Sequence, residues 1–237
     1  MRVVSLVPSA SETLVGLGVT PIACTRFCDQ PGVPTVGGTK NPDVDAIVAL
    51  APDLVVVNDE ENRRVDADAL SAAGLTLHSM SPRSLAEVGP ELRDLADALG
   101  TRVPAPFDDR SWPRWIQEEA GRGGPRRRGV VFVWRRPWMT ANRDTYGSSL
   151  LDALHVENLW GRDAQRYPEV SLEDVSAAAP DVVLLPDEPY AFSARHVPSV
   201  EAAVPDARVL LVDGRDLFWW GWRTPAALAR LRAVIEG

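Results

Sequence analysis

Residues 51 to 62 read Ala-Pro-Asp-Leu-Val-Val-Val-Asn-Asp-Glu-Glu-Asn, and residues 179 to 190 repeat the pattern as Ala-Pro-Asp-Val-Val-Leu-Leu-Pro-Asp-Glu-Pro-Tyr. In each copy a helical pattern ends at Ala-Pro-Asp, an apolar run follows, and an Asp-Glu pair stands where that run stops. A short apolar run between helical patterns is typical of a parallel strand covered on both faces. The repeat therefore predicts two related α/β halves.

Both acidic pairs follow a predicted strand. Open α/β sheets bind ligands beyond the carboxyl ends of their strands, so two facing halves would place both pairs at one cleft. Glu60 and Glu188 are expected to border that cleft. A solvated loop explains one copy equally well, but the recurrence favours a shared role. The acidic candidates are Asp59, Glu60, Glu61, Asp187 and Glu188.

Composition narrows the classes of function. The net charge of -8 argues against nucleic acid as the main partner. No apolar stretch approaches the roughly 20 residues that span a bilayer, and residues 2–8 lack the features of a signal peptide. We therefore expect a cytoplasmic protein as the sequence stands, or a periplasmic or cell-surface protein if the sequence is a trimmed mature form. Cys24 and Cys28 are too few for a disulfide framework, and no closed metal site is expected.

Three segments of the first half carry candidate polar contacts. Residues 9–12, Ser-Ala-Ser-Glu, predict a capping box that opens a helix after the first strand. The loop 25–31 offers cationic and aromatic groups, and residues 36–42 combine glycines with donors but lack the spacing of a P-loop. A strand over 75–80 places His78 or Ser79 near the same sheet edge.

A connecting segment, residues 101–128 with a helix over 109–120, separates an N-terminal lobe (1–100) from a C-terminal lobe (129–237). Residues 213–225 after the last predicted strand contain three of the eight tryptophans. These rings could stack on a large flat ligand, with Arg215 and Arg223 pairing with its anionic groups. Packing of the last helix is the alternative for part of this loop.

Several motifs in order resemble a known family: Pro8-Ser-Ala-Ser-Glu12, Gly37-Gly-Thr-Lys-Asn-Pro-Asp43, Tyr167-Pro-Glu-Val-Ser171 and the two Ala-Pro-Asp motifs. They look like the cobalamin and iron-siderophore class of ABC-transporter solute-binding proteins, the helical-backbone metal receptors. This resemblance implies an α/β fold with two Rossmann-like lobes joined by a single connecting helix, the class III architecture. It also implies a ligand held between the lobes and no catalysed reaction.

The resemblance also implies roles for individual residues. Aromatic side chains of the cobalamin receptors are absent at the positions matching Thr39 and Ser79, whereas Tyr167 matches an aromatic contact. Trp138 and the aromatic residues of 218–222 could compensate. Asp45 and Glu173 match the surface carboxylates through which the family docks on its permease, the first shortened from glutamate.

We therefore expect a monomeric solute-binding protein, not an enzyme, that holds a corrinoid such as cobalamin or a related metal chelate. An ABC permease or a cytoplasmic acceptor protein is the expected partner. Two alternatives stay open: a cytoplasmic carrier or sensor of another ligand, and an enzyme that uses Glu60 and Glu188 as acid and base. The candidate ligand contacts are Ser9, Arg26, Phe27, Thr39, Lys40, Glu60, Glu61, Asn62, His78, Arg136, Trp138, Tyr167, Glu188, Tyr190, Asp216, Phe218, Trp219, Trp220 and Arg223.

Overall fold

A computed structural model describes residues 1–237, and the chain forms two compact units. The first unit comprises Met1–Pro82, Glu87–Trp112 and Trp220–Arg223, and the second comprises Arg83–Ala86, Pro113–Trp219 and Thr224–Gly237. The lobe bounds expected from the sequence, at residues 100 and 129, stay a prediction.

The sheet of the first unit is parallel and four-stranded. Its strands are β1 (Val3–Ser5), β2 (Ala23–Cys24), β5 (Leu54–Val57) and β6 (Leu77–Ser79), in the order β2-β1-β5-β6. A short antiparallel hairpin pairs β3 (Gly37–Gly38) with β4 (Asn41–Pro42). The first five helices of the chain are α1 (Pro8–Gly16), α2 (Val44–Ala49), α3 (Arg64–Ala72), α4 (Leu85–Leu99) and α5 (Ser111–Ala120).

The sheet of the second unit has the same topology. Its strands are β7 (Arg127–Val131), β8 (Val156–Asn158), β9 (Val182–Pro186) and β10 (Arg208–Val212), in the order β10-β9-β7-β8. Its helices are α6 (Tyr146–Ala153), α7 (Leu172–Ala177), α8 (Val197–Ala203), α9 (Gly214–Phe218) and α10 (Thr224–Glu236), with a 3₁₀ turn at Ala194–His196. In both sheets the first strand in the chain lies between the second and the third. The α/β prediction is confirmed.

The two Ala-Pro-Asp motifs join a helix to the third strand of each sheet in the same way. Their alanines have φ angles of 43° and 47°, a left-handed conformation that ends α2 and α7, and the proline cannot continue a helix. The aspartates then accept the backbone N–H of a residue at the start of the first strand: Asp53 from Arg2 and Asp181 from Arg128, both at 2.6 Å. The repeat thus encodes one helix-to-strand connection used twice.

Both third strands are fully buried, as their apolar runs predict. In the first unit Val55 packs with Leu6 and Ile47, and in the second Val183 packs with Phe132. Fully burying a side chain of this kind stabilises the fold by about 1.5–3 kcal/mol. These strands therefore anchor the loops that follow them.

The capping box predicted at residues 9–12 is wrong. Helix α1 begins at Pro8, and its N-cap is Val7, two residues before the expected N-cap Ser9 and without a side-chain cap bond. Proline is well suited to the first helical turn because its missing N–H would have no helical partner there. The hydroxyl of Ser11 instead donates to the carbonyl of Val7 at 3.1 Å. Ser9 is 5% exposed, so its side chain is not open to a ligand.

The loop predicted over 213–225 is partly helical. Asp213 caps α9, accepting the backbone N–H groups of Arg215 and Asp216 at 2.8 and 3.3 Å. α10 then begins at Thr224. The sequence interpretation missed this cap because the helix is only five residues long. No helix of the chain is both long and apolar enough to cross a membrane.

Candidate functional site

The strands of each sheet are parallel, so their carboxyl ends meet at one edge. In the first unit the segments that leave this edge include residues 25–31, 58–62 and 80–82. In the second unit they include residues 132–139, 187–193 and 213–219. Most of the candidate contacts lie in these segments.

The turn after β5 is held by Asn58, which is 5% exposed. Its Oδ1 accepts the backbone N–H groups of Glu60 and Glu61, each at 2.8 Å, and its Nδ2 donates to the carbonyl of Met80 at 2.7 Å. One buried side chain thus fixes the backbone of both glutamates and ties it to the end of β6. Sequence reasoning missed Asn58 because it looked like part of the acidic loop.

Asn62 closes the same turn and is 7% exposed. Its Oδ1 accepts the N–H of Asn58 at 2.9 Å, while its Nδ2 donates to the carbonyls of Leu6 and Thr39 at 3.2 and 2.9 Å. The amide is fully used in joining β1, β5 and the hairpin. Asn62 organises the turn that presents Glu60 and Glu61, and its contact with a ligand stays a prediction.

The exposed groups around this turn are Glu60, Glu61 and Lys40, whereas Thr39 is 8% exposed. The Lys40 ammonium donates to the backbone carbonyl of Glu60. At the end of β2, the Arg26 guanidinium lies 4.9 Å from the ring centre of Phe27, and 53% of Phe27 is exposed. The edge of the first sheet thus carries cationic, anionic and aromatic groups.

His78 lies in the middle of β6 and is half-buried. Burial lowers its pKa, and the nearby Asp94 of α4 opposes that shift. The contact of His78 with a ligand stays a prediction.

In the second unit, Glu188 follows β9 and meets α9. The indole N–H of Trp219 donates to the Glu188 carboxylate; burial raises the pKa of Glu188, and the charge of Arg215 and this hydrogen bond oppose the shift. The Arg215 guanidinium lies 4.9 Å from the ring centre of Trp219. Trp219 is only half-buried, so one cation, one carboxylate and one large ring are held together at the edge.

An aromatic cluster joins the segments that follow β7 and β9. Trp138 stacks on Phe192 with centroids 5.9 Å apart and planes 6° apart, and Tyr190 contacts Phe192 at 4.7 Å. Trp134 meets the edge of Tyr190 at 5.5 Å and is 44% exposed. The sequence interpretation named Trp138 and Tyr190 but missed Trp134, whose place directly after the β7 apolar run was the available signal.

The chain is similar to known proteins in sequence and in fold. The family described as Periplasmic binding protein matches residues 3–188. The chain belongs to this family. A curated relative, the vitamin B12-binding protein of Salmonella choleraesuis (strain SC-B67), is 23% identical over 194 residues, which are 78% of this chain and 71% of that protein.

Solved structures of periplasmic binding proteins share the fold. The periplasmic vitamin B12-binding protein BtuF of Vibrio cholerae is similar with a TM-score of 0.79 and 18% identity, over 99% of this chain and 96% of that one. The periplasmic heme-binding protein BhuT, solved with two hemes, gives 0.82 and 23%, over 99% and 97%. The resemblance to class III solute-binding proteins and the expectation of a small-molecule-binding protein are confirmed. The cytoplasmic location is not supported, and the periplasmic alternative fits.

Several candidate contacts have structural partners within the protein. Asp216 is 2% exposed and holds Arg230 through two hydrogen bonds of 2.6 Å. Trp220 is 6% exposed. Both side chains are buried, and their contact with a ligand stays a prediction. Arg223 pairs with Glu12, with 2.8 Å between Nε and Oε2, which supports a role in packing.

Trp222 also serves packing, against Phe107 and helix α1 rather than against the last helix as the alternative for this loop expected. It stacks on Phe107 with centroids 5.6 Å apart. Its ring covers Gly16, where an added Cβ would lie 2.2 Å from the indole. The remaining candidates, Arg136, Tyr167 and Phe218, are exposed or half-buried.

The two docking candidates occupy equivalent places. Asp45 lies in the first turn of α2, whose N-cap is Asp43, and Glu173 lies in the first turn of α7, whose N-cap is Ser171. Both carboxylates are exposed. Acidic residues in a first turn stabilise the helix by complementing its dipole, so helix stability alone also accounts for them. Their role in docking stays a prediction.

Proposed function

We propose that this protein binds a corrinoid or a related tetrapyrrole chelate at the carboxyl edges of its sheets and does not catalyse a reaction. The observation that carries the proposal is the group formed by Glu188, Arg215 and Trp219. It offers a half-exposed ring for stacking beside charged groups for the polar rim of a large ligand. The relatives named as vitamin B12-binding and heme-binding proteins support this ligand class.

We further propose that the protein works outside the cytoplasm and delivers its ligand to an ABC permease through Asp45 and Glu173. Two matching carboxylates on equivalent helices suit a partner with two related halves, because each half would meet the same local surface. Substituting both carboxylates by alanine should abolish permease-dependent uptake while leaving ligand affinity unchanged. Normal uptake by that double variant would remove this part of the proposal.

The test of the ligand is calorimetric titration with cyanocobalamin, hydroxocobalamin and haemin. We expect saturable binding of at least one compound with one or two molecules per chain. Similar affinity for both cobalamins would indicate recognition of the corrin's shape, since the two differ in how readily the axial position exchanges. A preference for hydroxocobalamin that disappears in His78→Ala would instead indicate that His78 is an axial ligand of the cobalt. No heat with any of the three compounds at high micromolar concentration would overturn the proposed ligand class.

A further inference from the structure

The loop between β9 and α8 contains a histidine whose ring faces more N–H donors than it can accept from. His196 is 2% exposed, and its Nδ1 accepts the backbone N–H of Ser193 at 3.0 Å. A neutral imidazole that accepts at Nδ1 carries its proton at Nε2. Yet Nε of Arg195, which is always a donor, lies 3.4 Å from that Nε2. Two N–H donors therefore converge with no acceptor between them.

The other protonation states do not remove this conflict. With the proton on Nδ1, Nε2 could accept from Arg195 and the Ser193 hydroxyl at 3.3 Å could accept from Nδ1, but the Nδ1 proton would face the N–H of Ser193 across the shorter distance of 3.0 Å. A doubly protonated ring would conflict at both nitrogens, and burial, Arg195 and Arg135 all lower the pKa of His196 and disfavour that form. In every state the ring leaves at least one pair of donors facing each other. An oxygen acceptor placed against both Nε atoms would resolve the conflict.

The surroundings of His196 are cationic and aromatic. The Arg135 guanidinium lies 5.5 Å from the ring centre of Trp138, which stacks on Phe192, and Phe192 meets His196 with centroids 5.5 Å apart. Neither Arg135 nor Arg195 forms an ion pair with a carboxylate. Some other arginines of this unit do have a carboxylate partner, as Arg166 has in Asp144 at 2.7 Å. Two cationic side chains without such a partner therefore lie near the buried ring of His196.

We propose that Arg195 and His196, with Arg135 nearby, form a binding site for an oxyanion, a carboxylate or phosphate group carried by the bound solute. One oxygen would accept from Arg195 Nε and His196 Nε2, and the guanidinium fork of Arg195 suits a second oxygen. The link to the solute rests on the proposed function, because the site lies in a segment that leaves the same sheet edge as Glu188. It narrows the solutes to those with a peripheral anion, such as a tetrapyrrole carboxylate or the phosphodiester of cobalamin.

The site itself can be tested without the solute. We would titrate the full chain with benzoate and with inorganic phosphate, following the ¹⁵N-detected side-chain N–H signals of Arg195 and His196. We expect saturable shifts at millimolar anion, with the apparent affinity at least about tenfold weaker in Arg195→Gln and unchanged in Arg102→Gln, an exposed arginine of the first unit. Shifts that do not saturate, or that survive in Arg195→Gln, would overturn the site.

Matched ligand pairs test whether the anion belongs to the solute. Haemin would be compared with its dimethyl ester, and cyanocobalamin with dicyanocobinamide, which lacks the phosphodiester. The wild type should prefer the anionic member of at least one pair by about tenfold, and Arg195→Gln should lose that preference. Equal affinities within both pairs would show that the bound solute does not place an anionic group in this site. Binding of free anions without binding of any solute would overturn the proposed ligand class and its link to this site, while the oxyanion site would stand.

Discussion

Replacing Asn58 by alanine should weaken the fold and the candidate site together. The substitution removes three hydrogen bonds of 2.7–2.8 Å from a side chain that is 5% exposed. A hydrogen bond contributes about 0.5–1.5 kcal/mol net, and a buried group left without its partner costs about 1–3 kcal/mol. The carbonyl of Met80 loses its side-chain donor, while the N–H groups of Glu60 and Glu61 can still turn to water. We therefore expect a loss of about 2–4 kcal/mol in the free energy of unfolding.

Urea unfolding followed by circular dichroism measures this loss. The matched control is Asn41→Ala, an exposed asparagine in the hairpin of the same unit, which should change stability by less than about 0.5 kcal/mol. Because the turn carries Glu60 and Glu61, Asn58→Ala should also weaken ligand binding. A loss below about 1 kcal/mol, or one equal to that of the control, would refute the assignment of Asn58 as the organiser of this turn.

Three further variants test other parts of the account. Trp219→Ala should weaken binding of the ligand identified by calorimetry by about 1–3 kcal/mol, as for other aromatic stacking platforms, with the fold intact; unchanged affinity would assign this ring to packing. Arg223→Ala should lower stability, and a double-mutant cycle with Glu12→Ala should give a coupling of about 0.5–1.5 kcal/mol, because this pair is largely shielded from water; a coupling near zero would contradict the proposed packing role. Burial raises the pKa of Glu91 from 4.5 to about 7, with Glu87 and Asp59 adding to the shift and the N–H of Ser81 opposing it. The folded state then holds the proton more tightly, so the stability contributed by Glu91 is present below pH 4.5 and is lost as pH rises toward 7. Glu91→Gln should therefore gain stability relative to the wild type between pH 5 and pH 8 in urea titrations, and a difference independent of pH would show that the pKa of Glu91 is not raised.

The architecture could be predicted from the sequence because its signals are local and occur twice. The Ala-Pro-Asp motif encodes a helix end, a proline stop and an aspartate that accepts from the first strand, and all three lie within a few residues of each other. The apolar runs after the motif have the length of a buried strand. A helix start was misplaced where the start signal was ambiguous, as at α1, which begins at Pro8.

The site was less predictable because tertiary contacts decide which of its side chains remain exposed. Asn62 and Asp216 look like exposed polar residues in the sequence, but one joins three chain segments and the other is paired with Arg230 on a later helix. The indoles of Trp219 and Trp220 are neighbours in the chain, yet only Trp219 remains partly exposed. Composition cannot tell which of two neighbouring tryptophans is exposed, since the difference arises from what packs against each ring.

Hydrogen–deuterium exchange with and without ligand tests the central claim, that the carboxyl edges of the sheets contact the solute. The measurement would be repeated with cyanocobalamin, hydroxocobalamin and haemin. With at least one of them we predict slower exchange in peptides covering residues 58–62, 187–193 and 213–219. We predict no change in the last turn of α3, which leads toward the amino end of β6, or in the last turn of α10, where the Ile235 carbonyl accepts from Arg208 at the start of β10. Protection elsewhere but not in these segments, or no protection with any of the three compounds, would contradict the account.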